Sequence, residues 1–169
     1  MESNQDVQIT ERPPPASRGT LVLSDVLLGR SESAAIVLRS MVGYDEGVKI
    51  ETEFLLRHPG PGRRPLRGAT DPQRADPAIS FGSGEPGDFR SLTWNIDDKT
   101  LSVWTLGADE AHSRLTIRTW IAPPPDELVI GVRWLSEDIP ATHRRVDCRH
   151  PEGSWSAPLW PDRSEPNPA

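Results

Sequence analysis

The segment from Trp120 to Trp134 constrains the fold more than any other part of the chain. Its sequence, WIAPPPDELVIGVRW, places two runs of strand-forming residues on either side of three prolines. β-Branched and aromatic residues favour strands. Proline fixes φ and has no N–H to donate, so Pro123–Pro125 cannot pair within a sheet. The segment therefore predicts an antiparallel hairpin near the end of an all-β domain, with the prolines as a stiff connector at the end of the sheets.

A second hairpin is predicted from two longer runs, at about residues 35–44 and 47–57. The β-branched residues of the first run favour a strand over the helix that its Ala and Leu content would also allow. Between the runs, Gly47 is expected to take the positive φ that a type I turn with a bulge needs. Apolar residues and Thr then alternate with charged ones, which predicts one inward and one solvent-facing side. The inward set is Val48, Ile50, Thr52 and Phe54.

Shorter apolar runs predict the remaining strands. They lie at residues 21–28, 78–81, 92–96, 101–106, 115–121, 128–134 and 143–148. Short strands separated by turn residues, without any amphipathic helix, are typical of a sandwich and not of a βαβ fold. The predicted fold class is all-β, an antiparallel β-sandwich of about eight or nine strands with disordered termini and a long central loop.

Proline and glycine define the predicted domain limits. They concentrate in residues 12–19, 59–87 and 151–169, which we expect to contribute little to a packed core. The predicted organisation is a disordered N-terminal arm at 1–18, a sandwich domain at 19–160 with a flexible loop at 58–77, and a disordered tail at 161–169.

Charge and cysteine content narrow the partners and the compartment. The net charge of −6, without a dominant basic stripe, argues against a nucleic-acid partner. No apolar run approaches the roughly 18 residues that a membrane span needs, and the first residues lack a signal-peptide pattern. The single cysteine, Cys148, cannot form an intramolecular disulfide. A cytoplasmic protein is therefore expected.

Residue types that carry chemistry do not form a recognisable pattern. Cys148 and His150 alone do not have zinc-site spacing, and no second pair of ligands accompanies them. The chain has no Gly-x-Ser-x-Gly elbow, and Gly82 and Gly84 lack the context of a phosphate loop. We expect no catalytic residues, no metal and no cofactor.

The tryptophans are the best candidates for a binding surface. Trp94 and Trp134 share the phase of neighbouring apolar residues and are predicted to fill the core. Trp104 and Trp120 are out of phase with Val103 and Ile121, so an exposed aromatic face is predicted there. Pro124 would complete a docking surface beside Trp120, as in polyproline recognition.

A wider pattern of tryptophans, prolines and apolar residues spans roughly residues 26–160. Its members are Leu28–Glu32, Ala34–Leu38, Trp120, Pro123–Pro125, Leu128, Trp134, Ile139–Pro140 and Leu159–Trp160. The pattern resembles that of an uncharacterised family of small actinobacterial proteins. The resemblance implies a β-sandwich with a variable central loop, and it implies no catalytic or binding residues. The chain departs from the family where Asp126 follows the prolines in place of glycine.

These observations favour a non-enzymatic accessory or protein-interaction protein that binds an unknown protein partner. The alternative is a carbohydrate- or small-ligand-binding module in which Trp104 and Trp120 stack on the ligand. A third, weaker alternative is a small hydrolase whose catalytic residues form no recognised motif.

Overall fold

The computed structural model describes residues 17–58, 76–86, 89, 93–94, 100–108, 114–149 and 153–159, with the side chains of Trp94 and of residues 100–108 left out. Its strands are β1 (Ser17–Arg18), β2 (Thr20–Arg30), β3 (Ala34–Tyr44), β4 (Gly47–Leu56), β5 (Ala78–Gly82), β6 (Thr93–Trp94), β7 (Thr100–Ala108), β8 (Arg114–Ala122), β9 (Glu127–Trp134), β10 (Ile139–Asp147) and β11 (Ala157–Pro158). A single 3-10 turn at Leu135–Glu137 interrupts them, and the described residues include no α-helix. The predicted all-β fold class is confirmed.

Two sheets carry the fold. One has five strands in the order β2-β3-β4-β8-β7, and the other has four in the order β10-β9-β5-β6. Neighbouring strands are antiparallel, with the exception of the short β5–β6 pair. The sheets pack face to face as a sandwich, and the rings of Phe54 and Trp134 meet across the interface with centroids 6.0 Å apart.

The core lies between the sheets and follows the predicted alternation. On β4 the four predicted inward residues are buried, and on β8 the inward set of Leu115, Ile117, Thr119 and Ile121 is buried as well. The predicted core position of Trp134 is confirmed, since only 1% of this residue is exposed. Apolar burial of this kind is the main favourable contribution to folding.

The β3–β4 hairpin is confirmed, with Tyr44 paired directly to Gly47 across the two-residue turn. The predicted reason for the glycine is wrong, because Gly47 does not have a positive φ. Its role is steric. A Cβ atom there would lie 2.4 Å from Cζ2 of Trp120 and 2.6 Å from the carbonyl oxygen of Ile121. Glycine is therefore required by close packing against β8.

The predicted solvent-facing side of β4 needs one correction. Glu53 is 9% exposed, and its carboxylate accepts a hydrogen bond of 2.6 Å from Arg39 on β3. On the same face, Glu51 pairs with Arg118 of β8 at 3.1 Å. Long arginine stems cover neighbouring surface while their charged groups pair, so this face is a cross-strand ionic layer and not a row of independently solvated charges.

The predicted hairpin across the three prolines is wrong. The strand before them, β8, pairs with β4 and β7, whereas the strand after them, β9, pairs with β10 and β5. Pro123–Pro125, the proline link, therefore crosses from one sheet to the other. Three consecutive residues without an N–H donor end the pairing of β8. Its neighbours in the sheet are β7, the strand before it, and β4, from an earlier part of the chain.

Several predictions concern residues outside the described part of the chain. They are the N-terminal arm up to residue 16, most of the loop at 58–77, and the tail at 161–169. Ser17–Arg18, at the end of the predicted arm, pair with Ala157–Pro158. Among the described residues, no helix has the length and apolar character required to cross a membrane.

Candidate binding site at one end of the sandwich

Three connections converge at one end of the sandwich. They are the β3–β4 turn, the proline link between β8 and β9, and the end of β10. Pairing of Val48 with Ile121 and of Glu127 with Asp147 brings them together. Connections that a rigid scaffold holds in place are common positions for binding residues.

A segment from Gly153 to Leu159, the C-terminal strap, closes this end. Trp155 is 4% exposed and joins the main core. Its ring lies against Gly43, where a Cβ atom would be 1.7 Å from Cε3. The strap is fixed at both sides, because the Trp155 carbonyl accepts a hydrogen bond of 3.0 Å from Thr20 and its N–H donates to Asp45.

Asp45 organises the strap from the β3–β4 turn. Its Oδ1 accepts the Trp155 N–H at 2.8 Å, and its Oδ2 accepts the hydroxyl of Ser154. Its own N–H donates to Ser156 Oγ at 3.0 Å. Hydrogen bonds to a carboxylate are stronger than those between neutral groups. The turn and the strap are therefore held together by a local polar network.

A cleft of about 140 Å³, the end cleft, opens between these segments. Its lining combines apolar and aromatic side chains with two carboxylates. The lining residues are Tyr44, Asp45, Pro124, Pro125, Asp126, Cys148 and Trp155. Sites for small molecules usually enclose roughly 300–1,000 Å³. The end cleft is smaller, so its dimensions favour a single side chain of a larger partner.

A broader depression of about 500 Å³ adjoins the end cleft and shares Asp126 with it. Its other lining residues form two ion pairs, Arg145 with Glu127 and Arg149 with Asp147. Hydrogen bonds from the Arg149 side chain and backbone lower the pKa of Asp147 to about 2. Asp126, in contrast, makes no ion pair with any described residue.

Cys148 is one of the residues that line the end cleft. It is 3% exposed, and its N–H donates to the carbonyl oxygen of Asp126 at 2.8 Å, which ties β10 to the proline link. Burial raises the pKa of its thiol to about 12, and the nearby carboxylate of Asp147 adds to this effect. A thiol with such a pKa is protonated at neutral pH and is a poor nucleophile.

The predicted exposure of Trp120 is wrong. The residue does lie on the outer face of its sheet, but it is 0% exposed, because it packs with Tyr44, Val42 and Ala122 in a small second cluster. The Tyr44 ring meets it edge to face at 5.7 Å. Since Tyr44 also lines the end cleft, Trp120 supports the site from behind and does not present its ring to a ligand.

The other two predicted site residues have different outcomes. Pro124 is half-buried and lines the end cleft, next to Tyr44 and Trp155 and not beside an exposed Trp120. Trp104 lies in β7 opposite Arg118 of β8. Its side chain, like that of Trp94, lies outside the part of the molecule that the structure describes.

Tyr44 and Trp155, which line the end cleft, were not predicted as site residues from the sequence. Trp155 lies in a segment expected not to pack, because proline and glycine are frequent there. A signal was nevertheless present: a tryptophan carries on the order of 200 Å² of mostly apolar surface, which gains from burial. Tyr44 is the last residue before a predicted turn, a position at which a side chain can face the end of a sandwich.

No family model, curated protein or solved structure matches this chain. The resemblance to the small actinobacterial family therefore stays a prediction. Among the residues that the structure describes, no group of three or more His, Cys, Asp and Glu side chains is placed to hold a metal ion. The assignment of the end cleft as a candidate binding site therefore depends on its geometry alone.

Proposed function

We propose that the chain is a non-enzymatic protein-interaction domain that binds its partner at the end cleft. The observation that carries this proposal is the composition of the cleft, in which Tyr44, Trp155 and two prolines surround a space suited to one side chain. Aromatic anchors in small, well-packed pockets are typical of the residues that dominate protein–protein binding.

The rigidity of the site supports this function. Proline has a fixed φ, and Asp45 holds the strap against the turn through hydrogen bonds from Trp155 and Ser154. A preformed site binds with a smaller loss of conformational entropy than a site that must be ordered first. The high pKa of Cys148 favours a binding role over nucleophilic chemistry, because the thiolate is absent at neutral pH.

The proposal includes a cytoplasmic location, since a domain with one buried cysteine has no internal disulfide and suits a reducing compartment. The carbohydrate alternative is less well supported. It required Trp104 and Trp120 as a pair of exposed rings, and Trp120 is buried.

Two matched proline variants test the proposal in a quantitative pull-down from the native host. Pro124→Ala alters the end cleft, while Pro140→Ala alters an exposed proline at the opposite end of the sandwich. We expect Pro124→Ala to weaken capture of a specific protein, with a change in stability of no more than about 1 kcal/mol. Pro140→Ala should capture the same proteins as the wild type. Identical capture by all three proteins would refute docking at the end cleft.

A further inference from the structure

We infer that the C-terminal strap is a gate for the end cleft. It opens as a unit while the two main sheets stay folded, and the cleft exists only while the strap is docked. This inference rests on the proposed function and concerns the regulation of the same site. It follows from how the strap is attached and from what the strap contributes to the cleft.

The strap is attached outside the two main sheets. Its strand β11 pairs with β1 in a separate two-stranded sheet. Trp155 is buried, while the other strap residues are half-buried or exposed. Segments with few buried contacts open at a lower free energy than the domain as a whole. The strap can therefore leave the sandwich without unfolding of the sheets.

The docked state depends on Trp155. Its N–H donates to Oδ1 of Asp45 at 2.8 Å, and its carbonyl oxygen accepts the Thr20 hydroxyl at 3.0 Å. Its ring fits because Gly43 has no Cβ, an atom that would lie 1.7 Å from Cε3 of the ring. Since the ring contact and both hydrogen bonds belong to one residue, they form and break together. The strap therefore has two states, docked and open.

Docking of the strap completes the end cleft. Trp155 is the residue that the strap contributes to the lining, and the other lining residues lie at or next to the β3–β4 turn, the proline link and the end of β10. When the strap opens, the Trp155 ring leaves, and the cleft loses one of its sides. The remaining surface no longer forms the enclosed, well-packed pocket that anchors a partner side chain.

Strap docking and partner binding are therefore coupled. The open protein lacks the site, so the fraction of molecules able to bind equals the docked fraction. A bound partner in turn holds the strap in place, because linkage between two binding equilibria is reciprocal. Residues that fix Trp155 consequently control binding even where they do not line the cleft, as is the case for Thr20 and Gly43.

Native-state hydrogen exchange followed by NMR tests whether the strap opens by itself. The Trp155 N–H reports on the strap, and the N–H of Ile50, on the central strand β4, reports on unfolding of the sheets. We expect the Trp155 N–H to exchange faster than that of Ile50. Its rate should change little at low urea concentrations, at which the rate for Ile50 already rises, because opening of the strap exposes little surface.

Two valine variants of similar cost separate opening of the strap from unfolding of the domain. Thr20→Val removes one hydrogen bond of the strap, while Ile36→Val removes one methylene group from the core near the opposite end of the sandwich. Each should raise the exchange rate of the Ile50 N–H by about fivefold. Only Thr20→Val should raise the rate of the Trp155 N–H as well, because Ile36→Val destabilises the docked and the open states equally.

A matched pair of glycine variants tests the coupling to binding, in the pull-down from the native host. Gly43→Ala opens the strap by displacing the Trp155 ring and changes no residue of the cleft lining. Gly29→Ala places a Cβ 2.8 Å from Cγ2 of Ile139, at the opposite end. We expect Gly43→Ala to weaken capture of the same protein as Pro124→Ala does, and Gly29→Ala to capture it like the wild type. Trp155→Ala also opens the strap and should give the same loss if Gly43→Ala does not fold.

Each outcome decides the inference. If Ile36→Val accelerated exchange of the Trp155 N–H as much as that of Ile50, the strap would open only with the whole domain, and the gate would be overturned. Wild-type capture by Gly43→Ala or Trp155→Ala would overturn the coupling but leave protein docking at the cleft intact. The proposed function itself, and the coupling with it, would fail if Pro124→Ala and Pro140→Ala captured the same proteins as the wild type, whereas opening of the strap is decided by hydrogen exchange alone.

Discussion

Alanine at position 43 should expel Trp155 from the end of the sandwich. The new Cβ would lie 1.7 Å from Cε3 and 2.2 Å from Cζ3 of the indole, and no real contact between such atoms is that short. Gly43 itself does not have a positive φ, so alanine fits its backbone without strain. The three atoms nearest to the new Cβ all belong to the Trp155 ring, so steric conflict with this ring is the expected cost of the substitution.

The magnitude follows from the surface that the ring would lose. A tryptophan buries about 200 Å², which at about 25 cal/mol per Å² corresponds to an upper limit of about 5 kcal/mol. Some of this surface would stay covered after the ring moves. We therefore expect Gly43→Ala to lower the free energy of unfolding by about 3 kcal/mol, close to the effect of Trp155→Ala.

A double-mutant cycle separates this explanation from a general effect of the substitution. In a Trp155→Ala background the obstacle is absent, and Gly43→Ala should be neutral or stabilise by up to about 1 kcal/mol, because alanine is favoured over glycine inside a strand. The expected coupling is about 3 kcal/mol. Urea unfolding followed by circular dichroism measures all four proteins. Additive losses, or a loss below about 1 kcal/mol for Gly43→Ala alone, would refute the packing of Trp155 on Gly43.

Two further predictions concern buried groups near the site. Trp120→Ala should cost about 3–5 kcal/mol of stability through the cavity that it leaves, and a melting curve close to that of the wild type would contradict the burial of this side chain. The Cys148 thiol, whose folded pKa is raised from 9.0 to about 12, contributes stability below pH 9 that is lost as the pH rises toward 12, since only the unfolded chain ionises in that interval. Unfolding of wild type and Cys148→Ala at pH 7 and pH 10.5 should show the larger pH-dependent loss in the wild type; equal losses would mean that the thiol is not buried.

Local patterns predicted the strands well but not their partners. The β3–β4 hairpin follows from alternation over residues that are adjacent in the sequence, and its predicted ends differ from the observed ones by one residue at most. Around the prolines, the local pattern predicted the wrong strand pairing. Both flanking strands were recognised, yet β8 pairs with β4 from early in the chain, and a local pattern contains no information about that choice.

The site was less predictable because distant residues build it. The alternation of residues in β8 correctly placed Trp120 on the outer face of its sheet. On that face, however, Trp120 is buried in a cluster with Tyr44, and the alternation within one strand does not reveal such a cluster. Trp155 packs on Gly43, although the two residues are far apart in the sequence. Of the two predicted site residues whose side chains the structure describes, Pro124 lines the end cleft and Trp120 does not. The position of Pro124 depends on a stiff local connector.

Photo-crosslinking in the native host tests binding at the end cleft most directly. A photoreactive phenylalanine analogue replaces Glu46, an exposed residue of the turn beside the cleft, or Leu135, the 60% exposed first residue of the 3-10 turn at the other end. Both positions tolerate a large side chain because they face solvent. Binding at the end cleft predicts a defined crosslinked protein from position 46 and little from position 135. Crosslinking from position 135 alone, or from neither position, would contradict it.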